Sequence, residues 1–187
     1  MKKKIITLFL ISLLALSGCG SSESLDTLKN VEANVNDSAV VLVIPAEYVG
    51  DATQSDLDAF AKEKNYDGII LNEDGSATYY MSKEQHESMM ADMKQQFTTS
   101  IEAFANTKDY PNFTKIEAAE DFATFTVTTI SKNVSTDEAL LSMALTIYGE
   151  MYNVFNGTPV DNIHVDYVHE ESGQILHTTD SKEKGEI

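Results

Sequence analysis

Hydrophobic positions along the chain fall into short runs and helical stripes, separated by polar clusters that form turns. Ala39-Val40-Val41-Leu42-Val43-Ile44 is an unbroken, mostly β-branched run closed by Pro45, and it predicts a buried strand. Asp51 or Thr53 is placed to cap a short helix with Leu57, Phe60, Ala61 and Lys64 on one side. Residues 68–71 and 76–81, joined by Asn72-Glu73-Asp74-Gly75, read as a hairpin in which Gly75 supplies the positive φ of the turn. Ser82-Lys83-Glu84-Gln85 is a capping box that opens a helix to about Asn106. Met90, Met93, Phe97, Ile101 and Phe104 recur along it at steps of three and four, one apolar stripe. Asp109-Tyr110-Pro111 ends it.

Residues 114–118 and 123–130 predict a second hairpin across Glu120-Asp121. The expected register pairs Ala118 with Ala123, Ile116 with Phe125 and Thr114 with Val127, so that the apolar residues share a face. Ser135-Thr136-Asp137-Glu138 is another capping box, and its helix ends at Asn156-Gly157 with Pro159 beyond. This helix is apolar almost all round, which predicts burial on most sides or a place at a partner interface. A last hairpin joins 162–168 to 174–179 through a turn at 170–173, and 181–187 reads as a frayed tail. The order β-α-ββ-α-ββ-α-ββ predicts an α+β fold. We expect an antiparallel sheet of hairpins with about three helices on one face, in a single domain over residues 38–180.

The first residues follow a different pattern. Lys2, Lys3 and Lys4 precede an apolar run from Ile5 to Leu16, too short to span a bilayer and typical of a secretory signal. The run closes in Leu16-Ser17-Gly18-Cys19, which resembles the lipobox of bacterial lipoproteins. The resemblance implies a diacylglyceryl thioether on Cys19 and cleavage just before it by type II signal peptidase. Residues 1–18 would then be the signal peptide, and 19–37, rich in Ser, Asn, Asp and Glu, a flexible stalk. It also implies an extracytoplasmic protein anchored at the cell membrane, since two acyl chains hold stably where one holds marginally.

Charge narrows the partners. Thirteen basic residues, all of them Lys, face 30 acidic ones, a net charge of -17. Loss of residues 1–18 would remove three lysines and leave -20. Such a surface excludes ordinary nucleic-acid binding and is repelled by anionic lipid, so the lipid on Cys19 would hold the protein alone. A single Cys excludes an internal disulfide and any multi-Cys zinc site.

Candidate chemistry is sparse. His164 and Asp166 lie two apart on one strand and share a face; His177 on the return strand would complete a His/Asp/His set of metal-ligand types. An even loop puts His177 on that face, whereas a three-residue loop ending in Gly173 puts it on the other. A solvated strand face fits the same alternation. No serine sits in a Gly-x-Ser-x-Gly elbow, and Asn72, Asp74 and Ser76 fail the EF-hand pattern because Ile occupies position 70. The methionines Met81, Met89, Met90 and Met93 read as core at helical spacing. Val165-Asp166-Tyr167 through Glu171-Ser172-Gly173-Gln174-Ile175 resembles the closing hairpin of PepSY-type domains, modules of secreted and lipid-anchored proteins that are often protease-associated or inhibitory.

The expectation is therefore a non-enzymatic lipoprotein, without a cofactor or catalytic residues, that binds a small ligand or an envelope protein. One alternative is an inhibitory or chaperone-like module acting on secreted envelope proteins. The other is a metal-dependent hydrolase using His164, Asp166 and His177.

Overall fold

A computed structural model describes residues 39–183. The expected signal peptide 1–18, the lipobox resemblance with Cys19, the expected stalk 19–37, Ser38 and the tail residues 184–187 lie outside the described residues. The fold is α+β, and strands and helices follow the expected order except for a short extra helix after β1 and a last helix divided in two. The chain divides into two compact units, at His86 and Glu87.

The first unit holds β1 (Ala39–Ile44), α1 (Ala46–Val49), α2 (Gln54–Lys64), β2 (Gly68–Leu71) and β3 (Ala77–Ser82). Its strands form one antiparallel sheet in the order β1-β3-β2. Thr53 caps α2 through a reciprocal pair with Asp56. Asn65 ends the helix in the left-handed region, and Lys64 rises over the Phe60 ring. Gly75 takes φ 83° in the β2–β3 turn, where Asp74 accepts from the Ser76 amide and hydroxyl. Leu42, Ile44, Leu57, Ala61, Ile69, Ala77, Tyr79 and Met81 are buried. Burial pushes the Tyr79 phenol up to about 12.

β1 is not the doubly covered strand its apolar run predicts. It lies at a sheet edge, and its side chains alternate: Leu42 and Ile44 inward, Val41 and Val43 outward at 45% and 61% exposure. The other edge is dressed. The Gln54 side-chain amide donates to the Ile69 carbonyl at 2.7 Å and accepts from the Leu71 amide at 2.8 Å, so it stands in for a neighbouring strand along β2.

The second unit is built on α3 (Lys83–Glu102), which starts in the last residues of the first. β4 (Phe113–Ala118), β5 (Thr124–Thr129), α4 (Thr136–Ala139), α5 (Leu141–Phe155), β6 (His164–His169) and β7 (Ile175–Asp180) follow. The Ser82/Gln85 capping box opens α3, and Met90, Met93, Phe97 and Ile101 bury its predicted stripe. The Ser135/Glu138 box opens α4. The strands run in the order β4-β5-β6-β7. The hairpins therefore belong to two sheets, and β5 and β6 are parallel. The α4–α5 crossover between them is the connection that parallel neighbours need.

The β4–β5 register is two residues from the expected one: Ala118 faces Phe125, and Ile116 faces Val127. The turn is longer because Phe122 adopts φ 55° and bonds back to the Ala119 carbonyl. A left-handed phenylalanine costs about 1–2 kcal/mol. Its ring offsets this by stacking on Tyr152 at 4.4 Å and meeting Phe97 and Phe125 edge-on. A shift by two keeps every side chain on its face, so Ile116, Phe125 and Val127 still share the core.

α5 has one buried side, formed by Leu141, Ser142, Leu145, Thr146, Gly149, Tyr152 and Asn153. Leu140 and Met143 are exposed, so the helix is less enclosed than its composition predicts. Residues 181–183 form a 3-10 turn, and the part of it at Ser181 and Lys182 is tied down. The Ser181 amide donates to the Ile163 carbonyl, and the Lys182 amide to Asn162 Oδ1.

Candidate functional site

Strand alternation sends Phe125, Val127, Val165 and Tyr167 into the core. It leaves Thr124, Thr126, His164, Asp166, Thr178 and Asp180 together on the opposite face, as the ladder pairs them. His164 sits at its centre, half-buried. Its Nδ1 lies 2.9 Å from Asp180 Oδ1 and its Nε2 3.2 Å from Asp166 Oδ1. The same Asp180 oxygen accepts from Asn162 Nδ2 at 2.5 Å, and Asp166 Oδ1 accepts from the Thr178 hydroxyl at 2.6 Å. One imidazole thus bridges its own strand to β7.

The charges follow from this geometry. The Asp180 contact, helped by Asp166 and opposed by partial burial, raises the His164 pKa above its ordinary value. Asn162 and His164 hold the Asp180 carboxyl below the usual carboxylate range. With both ring nitrogens held by carboxylates, the imidazole cross-links two strands.

His177 is elsewhere. The turn is the even one: the His169 amide donates to the Gln174 carbonyl, and Val168 pairs with Ile175. One extra residue then shifts the ladder, so that Tyr167 pairs with His177 and Asp166 with Thr178. The bulge sends His177 to the other face, where its ring lies 5.8 Å from that of Tyr167. The sequence trio of His164, Asp166 and His177 therefore does not converge. Among the described residues no group of His, Cys, Asp and Glu is arranged to hold a metal ion.

No family model, curated protein or solved structure matches the chain.

Asp180, Asn162 and Thr178 were not singled out by sequence reasoning. Asp180 stood at the junction with the presumed tail, and its pairing with His164 depends on the bulge. The alternation Thr178-Thr179-Asp180, carried in register from His164 and Asp166, was the available signal.

A second feature lies under this sheet. The Tyr167 hydroxyl, 2.8 Å from Ser142 Oγ and 3.3 Å from the Glu138 carbonyl, fastens β6 to the start of α5. Burial raises its pKa to about 12, so it stays a neutral hydrogen-bonding group. Among the described residues no buried side-chain nitrogen or oxygen lacks a hydrogen-bond partner.

Proposed function

We propose that the chain is an extracytoplasmic lipoprotein, held at the cell membrane by a diacylglyceryl group on Cys19, whose folded part is a non-enzymatic module that binds another envelope molecule. The observation that carries the anchor is the ordered sequence of Lys2-Lys3-Lys4, a short apolar run and Leu16-Ser17-Gly18-Cys19. The binding role is supported by bulky apolar side chains left uncovered in both units: Val41 and Val43 in the first, Leu140 and Met143 in the second. An inhibitory or chaperone-like action on secreted proteins is a second reading. It is favoured by β1, an uncharged edge strand whose outer side no described strand pairs. The hydrolase reading loses its basis with the separation of His177 from His164 and Asp166.

The anchor is tested by Cys19→Ser in a bacterial host fed radiolabelled palmitate. Parent protein is expected to take up label and sediment with membranes, and the variant to remain unlabelled as precursor or to be released. Equal labelling of the two, or mature-size variant still on the membrane, contradicts the proposal.

A further inference from the structure

α5 carries apolar residues on its outward side as well as its inward one. Toward the core it presents small or hydrogen-bonding residues, Ser142, Thr146, Gly149 and Asn153, among its buried leucines. On the opposite side Leu140 and Met143 are 49% and 57% exposed, and Ile147 and Val154 half-buried. Leu140 keeps helical angles (φ -62°, ψ -20°) between α4 and α5, so the line runs through it. Positions 140, 143, 147 and 154 follow the 3-4-7 spacing of a helix-pairing seam about 20 Å long.

Glu150 occupies the next seam position after Ile147, and Asp137 flanks the seam one turn before Leu140. No lysine lies between Lys132 and Lys182. A parallel second copy would set Glu150 against Glu150. An antiparallel one would press it against the apolar residues Met143 or Ile147. Both arrangements leave a carboxylate without a cation, which is costly in a packed contact. A partner with a basic residue at that seam position removes the cost and gains a charge-assisted contact.

We propose that this stripe is the docking seam for an amphipathic helix of a protein partner that carries lysine or arginine among its apolar seam residues; the proposal rests on the binding-module reading and names the partner's chemistry. Leu140 and Met143 supply adaptable apolar contact, and Glu150 selects the partner by charge.

The test uses the full chain in phosphatidylcholine nanodiscs, with empty discs as the blank. The probe is a fluorescent helical peptide of three heptads, leucine at the seam positions except for one lysine, against a twin with glutamate there. We expect the lysine peptide to bind at least about tenfold more tightly than its twin, a difference of roughly 1.4 kcal/mol. Leu140→Ser with Met143→Ser should weaken it by a similar factor while leaving the circular dichroism and melting curve unchanged. Glu150→Gln should abolish most of the preference for lysine, and Glu170→Gln with Glu171→Gln, twice the charge change but on the β6–β7 turn, should preserve it. Binding unaffected by the serine pair or equal binding of the two peptides overturns the seam, and chain self-association abolished by the serine pair overturns the separate partner in favour of a second copy. Binding lost instead on Val41→Thr with Val43→Thr also overturns the seam, but keeps the binding-module reading and moves it to the first unit.

Discussion

Helices α3 and α5 both contribute to the core of the second unit, but they do so by opposite means. α3 buries Met90, Met93, Phe97 and Ile101 and turns lysine, glutamate and glutamine outward. α5 buries Ser142, Thr146, Gly149 and Asn153 beside Leu141, Leu145 and Tyr152, and turns Leu140 and Met143 outward. The first is held by transfer of apolar surface out of water. The second is held also by closeness and hydrogen bonds. Ser142 meets the Tyr167 hydroxyl, and Asn153 donates to the Asp121 carbonyl at 2.7 Å and the Gly149 carbonyl at 3.0 Å. A Cβ on Gly149 would lie 2.5 Å from the Phe122 carbonyl and 2.8 Å from Ile163 Cδ1. An apolar composition thus does not reveal which side of a helix is covered.

The difference breaks most sharply at Gly149. Alanine is favoured over glycine in a helix by about 1 kcal/mol, yet here the added carbon meets backbone oxygen, which yields little. We expect Gly149→Ala to lose about 2 kcal/mol in urea unfolding despite its propensity, and Gly149→Val to lose about 4 kcal/mol or fail to fold. Stabilisation by alanine would show that the close approach is not maintained in solution.

Asn153→Ala should cost about 1–3 kcal/mol, because it strands the Asp121 carbonyl in the β4–β5 turn. Its mark beyond stability is faster hydrogen exchange of the amides at 122–124. Unchanged protection there would mean that the amide does not brace the turn.

The His164 bridge adds a pH dependence to the second unit. A folded pKa raised above the unfolded value of about 6.5 contributes stability below that pH and loses it as pH rises through the folded value. The melting temperature of the parent should therefore decline from about pH 6 upward more steeply than that of His164→Ala. Parallel melting profiles would remove the bridge from the account. Half-exposure of the ring limits the size of the effect, so it ranks below the packing changes.

How far the fold was legible follows the same division. The three capping boxes, at Thr53, Ser82 and Ser135, and the α3 stripe are local signals, and two of those caps and the stripe were readable directly. At the third, the sequence offers Asp51 or Thr53 as the cap, and Thr53 takes the role. The two-sheet arrangement depended on which strands meet after long connections, which no local pattern encodes. Two departures came from one backbone feature each. Phe122 in the left-handed region lengthened the β4–β5 turn, an unusual setting for a phenylalanine, without changing faces. The bulge before His177 changed a face and dispersed the candidate ligand set, although the loop itself was the even one. The outward face of α5 was open in the sequence as a choice between core and interface. Contacts of its small residues decide which side is covered.

One substitution made in both helices tests the central contrast. Met93 is 6% exposed and Met143 57% exposed. Met93→Ser and Met143→Ser make the same chemical change, so their urea midpoints, followed by helical circular dichroism, compare the two environments directly. The account predicts a loss of about 3 kcal/mol for Met93→Ser and less than about 0.5 kcal/mol for Met143→Ser. Equal losses, or the larger loss at Met143, would contradict it.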